Sequence, residues 1–187
     1  MKKIETKLSG VVILEPKIFR DSRGFFLETW HRDRYKGAGL PADFVQDNVS
    51  FSTQGVLRGL HFQNPAPQGK LVTVLQGEVF DVAVDIRVGS PTFGQWVGIT
   101  LTGENARQIY IPEGFAHGFC ITSPTALFTY KCTDFYAPQL EQSLLWNDPK
   151  IGITWPTETP ILSDKDSAAP GIEKIDPEGL PRFSGFD

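Results

Sequence analysis

Within residues 78–87 two sets of side chains alternate along the chain. Phe80, Val82, Val84 and Ile86 take one parity, and Asp81, Ala83, Asp85 and Arg87 take the other. A period of two sends successive side chains to opposite faces of an extended strand, whereas a helix needs a period near 3.6. The segment therefore predicts a half-buried β-strand. Runs of similar character cover residues 11–14, 24–30, 56–62, 71–76, 95–101, 108–111, 117–122 and 127–132. Turn signals part them: Gln76-Gly77, Gly89-Ser90-Pro91, Thr102-Gly103-Glu104-Asn105 and Pro112-Glu113-Gly114. About nine short strands at this spacing predict a sandwich or barrel rather than a parallel α/β sheet. Helix is scarce. Residues 32–38 predict one short helix ended by Gly39, and Ser163 reads as the N-cap of another. The last dozen residues, rich in Pro and Gly, are expected to wrap the surface or fray.

A chain of 187 residues suits one domain with a sizeable core. Its net charge of −4 argues against a general nucleic-acid or membrane surface, so any polyanion site must be a local cluster. The start, Met1-Lys2-Lys3-Ile4-Glu5, has no apolar signal core, and no apolar run is long enough to span a bilayer. A cytoplasmic protein is expected. Cys120 and Cys132 lie in apolar strand-like runs at a spacing that fits neither a zinc nor a redox pattern, and they predict buried free thiols.

The chain has three histidines, so acid–base chemistry must be sought near them. Gly55 is followed after five residues by His61, with Gln63 two further on, and Lys70 is followed after six residues by Gly77. Downstream stands Pro112-Glu113-Gly114-Phe115-Ala116-His117. Together these resemble the two cupin motifs, and cupins are jelly-roll barrels, which agrees with the strand count. In metal-binding cupins the matching positions hold a second histidine and a glutamate; here they hold Gln63 and Lys70. An ammonium accepts no hydrogen bond and repels a divalent ion, and two histidines without a carboxylate make a poor metal site. No metal is expected.

A more specific resemblance runs from Glu15 to Asp166. Asp21-Ser22-Arg23-Gly24-Phe25-Phe26-Leu27-Glu28, Phe44-Val45-Gln46-Asp47-Asn48, Leu57-Arg58-Gly59-Leu60-His61-Phe62-Gln63 and Gln68-Gly69-Lys70 occur in the order found in one family of sugar-nucleotide epimerases. So do the 77–87 strand, Ser90-Pro91-Thr92-Phe93-Gly94, residues 111–119, Tyr130-Lys131 and Leu145-Trp146-Asn147-Asp148-Pro149. The chain resembles the dTDP-4-dehydrorhamnose 3,5-epimerases. The resemblance implies an isomerase with an all-β, cupin-type jelly-roll fold and a few short peripheral helices. Its substrate would be a dTDP-linked 4-keto-6-deoxyhexose, inverted at C3 and C5 through enolates with no cofactor, on the path to dTDP-L-rhamnose. It also implies one domain over residues 1–187, a homodimer with N-terminal strands exchanged at the interface, and a helical C-terminal tail.

The resemblance assigns roles residue by residue. His61 is the general base, Asp166 its orienting partner, Tyr130 the proton donor on the opposite face and Lys70 the cation at the enolate oxygen. Arg23, Gln46, Asp47, Asn48 and Arg58 match nucleotide- and diphosphate-binding positions, Glu28 a contact to the base, His117 a contact to the sugar, and Glu141 and Lys165 further binding positions. Imidazole suits a base because its ordinary pKa is ~6.5, and a phenol near pKa ~10 stays protonated at neutral pH.

The residues alone leave alternatives. Ser163 and Asp166 outline a capping box, and Asp81 and Asp85 compete as partners of His61. Parity puts Lys70 with Val72 and Val74 on one face, which favours an inward lysine. The same rule separates Arg58 from His61, unless a bulge at Gly59 restores a common face or Arg58 reaches round an edge. Phe19, Phe25 and Phe26 read as core or dimer interface, and the four tryptophans as structural. A mono-epimerase, a ketoisomerase or a sensory, metal-binding cupin are the rival functions. Glu28 and Gln46 leave thymine and uracil equally open.

Overall fold

The computed structural model describes residues 1–185. Thirteen strands form two stacked sheets and a hairpin. The six-stranded sheet runs in the order β1 (Lys2–Glu5), β2 (Val12–Glu15), β10 (Gln108–Ile111), β7 (Lys70–Gln76), β12 (Thr125–Cys132) and β5 (Gln46–Thr53). The five-stranded sheet runs β13 (Glu141–Ser143), β6 (Leu57–Gln63), β11 (Phe115–Ile121), β8 (Glu78–Asp85) and β9 (Trp96–Thr102). β3 (Ile18–Asp21) and β4 (Gly24–Leu27) make a separate hairpin. Among the described residues helix is confined to α1 (Arg32–Gly37), α2 (Asp164–Ser167) and two 3-10 turns at Ile172–Lys174 and Pro177–Gly179. Every ladder is antiparallel, as in a cupin-type barrel.

Three apolar layers hold the sheets. Between them Val72, Val74, Ile109, Ile111 and Phe128 meet Val79, Leu101, Phe119 and Ile121. Outside the five-stranded sheet, Leu60, Phe62, Val82, Val84, Ile86 and Ala116 are covered by Leu144, Ile151, Ile172 and Leu180. Outside the six-stranded sheet, Val12, Leu14, Leu71 and Tyr110 are covered by Tyr35 and Leu40. The C-terminal segment is thus a strap over one sheet, tied down by a Val88–Arg182 bridge and by Arg87, whose guanidinium lies over Phe115 and Phe183. The final Phe186 and Asp187 lie outside the described residues.

Covering both outer faces changes the meaning of the 78–87 alternation. Its apolar parity, Val82, Val84 and Ile86, faces the strap, and its polar parity turns inward. Asp81 and Asp85 are therefore fully buried, although the pattern predicts only half-burial. Asp85 is satisfied locally by Arg87, Ser90 and Thr92, which removes it as a partner for His61. Asp81 turns into the barrel.

Gly59 carries the bulge that the Arg58–His61 spacing requires. His117 pairs with His61 and Phe119 with Arg58, so three steps on β6 oppose two on β11. Gly59 has φ +119, and a Cβ there would sit 2.6 Å from Gly118 Cα and 2.7 Å from the His117 carbonyl. Both contacts are backbone, so no rotamer relieves them. Gly59→Ala is expected to cost ~2 kcal/mol or more. For a chain of this size that lowers the melting temperature by at least ~4 °C, and displacement of His61 should lower kcat as well. Calorimetry and initial rates on the purified variant check both.

Candidate active site

One cavity of about 520 Å³ opens between the sheets, a size that suits a nucleotide sugar better than a lone ion. β6 brings Arg58 and His61, β11 brings His117 and Phe119, β7 brings Lys70 and β12 brings Tyr130. β5 adds Gln46, Asn48 and Ser50, and Glu141 comes from β13. His61 and Tyr130 therefore stand on opposite sheets and face one another across the cavity, while Lys70 shares the wall of Tyr130.

His61 is held by Asp166. The Nε2 to Oδ1 distance is 2.6 Å, and Oδ2 accepts a long bond from the Gly59 amide. Asp166 is 3 % exposed. Burial pushes its carboxyl up, but hydrogen bonds from His61, Ser163 and the Gly59 amide hold it below the usual carboxylate range. An ionised carboxylate only accepts, so the imidazole proton sits on Nε2 and the Nδ1 lone pair is left for chemistry. The capping question is answered in the same place. The Ser163 hydroxyl accepts from the Asp166 amide and caps α2, while the Asp166 carboxylate points away to His61. Asp166 serves the helix with its backbone and the dyad with its side chain.

Asp81 has a different partner. Its Oδ2 lies 2.9 Å from His117 Nε2, and both groups are buried, so the cavity holds a second imidazole–carboxylate pair next to the first. His117 is the cross-strand neighbour of His61.

Lys70 lies on the inward face with Val72 and Val74, as its parity predicts. Among the described residues its ammonium has no hydrogen bond or ion pair. Burial pulls its pKa below the ordinary lysine value, against the pull of Cys132, Glu141 and Asp81. Tyr130 is pushed up to about 12, first by burial and then by Cys132 and Glu141. It is a phenol, not a phenolate, at any physiological pH.

At the mouth, Arg58 donates from Nε and Nη2 to Ser52 Oγ and has no carboxylate partner among the described residues. Gln46 bonds Asn48, and Glu141 accepts from Tyr136 and pairs with Lys165. Burial raises Glu141, but Lys165, His61 and Tyr136 together keep it low. Four expected binding residues do not line the cavity: Lys165, which reaches it only through Glu141, and three that have partners elsewhere. Asp47 pairs with Lys131 on the outer face of β5, Arg23 with Asp21 at the hairpin turn, and Glu28 with Arg34 beside α1. Gln68, Ser50, Phe119 and Tyr136 also line the cavity and were not singled out by the sequence. The polar alternation Gln46, Asn48, Ser50, Ser52 is the signal that would have found Ser50.

The donor set does not suit a divalent ion. Both imidazole Nε2 atoms face carboxylates, and an unpaired ammonium shares the space. Among the described residues no group of three or more His, Cys, Asp and Glu side chains is arranged for a metal. No described helix is long and apolar enough to cross a membrane.

A cupin-type barrel with an imidazole on one wall and a phenol and a lysine on the other suits an isomerase of the proton-transfer kind. The comparisons with known proteins narrow that class. The family model described as dTDP-4-dehydrorhamnose 3,5-epimerase matches residues 5–174, and the chain belongs to that family. The dTDP-4-dehydrorhamnose 3,5-epimerase of Shigella flexneri is 56% identical over 168 residues, 89% of this chain and 93% of that protein. A Legionella pneumophila crystal structure of dTDP-6-deoxy-D-glucose-3,5-epimerase, in complex with dTDP-4-keto-L-rhamnose, superposes with TM-score 0.96 at 55% identity and covers 98% of this chain and 99% of that one. A 3'-monoepimerase from Streptomyces bikiniensis, in complex with dTDP-quinovose, gives TM-score 0.89 at 35% identity over 95% of this chain and 91% of its own.

Proposed function

We propose that the chain epimerises C3 and C5 of dTDP-4-dehydro-6-deoxy-D-glucose to give dTDP-4-dehydro-L-rhamnose. The observation that carries this mechanism is the facing of His61 and Tyr130 across one cavity that also holds an unpaired lysine. Both carbons are α to the C4 ketone, so one carbonyl acidifies both protons. In a D-gluco chair the hydrogens on C3 and C5 project from the same face, so a single base serves both centres. His61 Nδ1 removes the proton, Asp166 stabilises the imidazolium, and Lys70 holds the enolate oxygen. Tyr130 protonates the carbon from the other wall, which inverts it. Arg58, Gln46 and Asn48 hold the diphosphate and nucleoside at the mouth, with His117, Glu141 and Lys165 as further contacts. Turnover of dTDP-4-dehydro-6-deoxyglucose, coupled to a reductase and followed by NADPH loss, tests the reaction. NMR of the product should show inversion at both carbons. Inversion at one centre alone would replace this assignment by a mono-epimerase.

Arg23 and Glu28 enter the proposal through a second copy of the chain. Phe19, Phe25 and Phe26 on the β3–β4 hairpin are 50%, 55% and 70% exposed, with Phe19 and Phe26 paired on one face and Phe25 on the other, so three large apolar rings stand on one short hairpin. A homodimer that buries this hairpin would carry Arg23 and Glu28 towards the partner's cavity, and Asp47 towards the interface. Phe26→Asp is expected to shift the protein from dimer to monomer in sedimentation and to raise KM for the nucleotide sugar. A monomeric wild type would overturn the dimer.

A further inference from the structure

The structure assigns Ser52 a positioning role that no motif suggests: its hydroxyl fixes which edge of the Arg58 guanidinium is presented to a diphosphate. The inference rests on the binding role proposed for Arg58.

A guanidinium offers two forked edges for two-point contact with an oxyanion: Nε with one terminal nitrogen, or the two terminal nitrogens together. In this cavity the first edge is taken. Arg58 Nε and Nη2 lie 3.2 and 3.1 Å from the same Ser52 Oγ. Ser52 is 6% exposed and sits on β5, whereas Arg58 sits on β6, so the contact ties the two sheets together at the mouth. The edge that remains is the one formed by the two terminal nitrogens. Ser52 belongs to the parity of Gln46, Asn48 and Ser50, which line the same cavity, and its own exposure excludes a role as a surface hydroxyl.

The chemistry of the partner matters as much as its place. A carboxylate at position 52 would hold the guanidinium at least as firmly, but it would neutralise the charge that the phosphate needs. A hydroxyl orients the fork and leaves the positive charge unspent. Arg58 has no other hydrogen-bond or ion-pair partner among the described residues. Without Ser52 the side chain has nothing to hold its rotamer, and binding must supply that order.

The test is a double-mutant cycle with dTDP and thymidine as calorimetric probes. Ser52→Ala should weaken dTDP about 10-fold, the size of one hydrogen bond to a charged group, and leave thymidine unchanged. Ser52→Thr keeps the hydroxyl and should restore dTDP affinity. Ser52→Asp should weaken dTDP more than Ser52→Ala does. In an Arg58→Ala background, Ser52→Ala should have no further effect. A general structural role would weaken both probes and would persist without Arg58; either result overturns the inference. If Arg58→Ala itself leaves dTDP affinity unchanged, the binding role of Arg58 fails. If Arg58→Ala weakens dTDP and Ser52→Ala does not, only the role of Ser52 fails.

Discussion

Lys70→Met is expected to make the protein melt higher while removing nearly all of its activity. The two effects have one cause. Lys70 is buried, its ammonium has no partner among the described residues, and burial holds its pKa below the ordinary lysine value. A depressed lysine pKa means that the unfolded chain binds the proton more tightly than the fold does. At neutral pH the charged lysine therefore weighs against folding, and that cost falls as pH rises from the folded pKa to the unfolded value of ~10.4. Methionine has a similar length and no charge. It should add ~1–2 kcal/mol, or roughly 2–8 °C in melting temperature for a chain of this size. The advantage should shrink steadily as the pH of the melt approaches ~10.4. The same charge is what an enolate oxygen needs, and losing such a preorganised donor costs ~3–4 kcal/mol, or 10²–10³ in kcat. The alkaline limb of the wild-type rate profile should accordingly lie below the ordinary lysine range. Tyr130, pushed up to about 12, cannot be its source. A Lys70→Met variant that melts lower or turns over normally would refute the account.

Much of this site is visible in the sequence because most of its residues sit in strands. Lys70 is placed by parity alone, and His61 and His117 follow from spacings that the barrel turns into cross-strand neighbours. What parity could not place is instructive. Arg58 and His61 share a cavity only because Gly59 approaches Gly118 closely enough to drop one step from the ladder, and that closeness is a tertiary fact. β5 gives no apolar strand signal because one of its faces lines a polar cavity, so its alternation is polar against mixed rather than apolar against polar. Asp81 has the right type to orient an imidazole, and it does, but the register of β8 against β11 delivers it to His117. Asp166 is more than one hundred residues from its partner (|i−j| of 105) and on a different kind of element, so only family resemblance could connect them. The hairpin residues Arg23 and Glu28 show the opposite limit: their place in the chain is plain, but one copy of the chain keeps them out of the cavity that holds His61.

His61→Asn should abolish deuterium uptake from heavy water at both C3 and C5 of the substrate. Asp166, held ionised by its hydrogen bonds, keeps the imidazole proton on Nε2 and leaves Nδ1 as the only basic lone pair aimed away from it. An asparagine side chain is close in shape and has no basic nitrogen, so the cavity survives and proton removal does not. Because the two hydrogens leave from one face, one substitution must silence both carbons together. Asp166→Asn separates orientation from basicity. The imidazole remains, but an amide can donate to Nε2 and trap the wrong tautomer, which in a comparable His–Asp pair costs ~10⁴ in kcat. Tyr130→Phe gives the counterpart. The base still forms the enolate, so exchange should continue, but the proton returns only from the His61 side and configuration is retained. Loss of exchange in His61→Asn with retained exchange and lost inversion in Tyr130→Phe is the signature of two groups on opposite walls. Wild-type uptake at either carbon in His61→Asn would mean that a second base serves that centre, and the neighbouring His117–Asp81 pair is then the group to substitute.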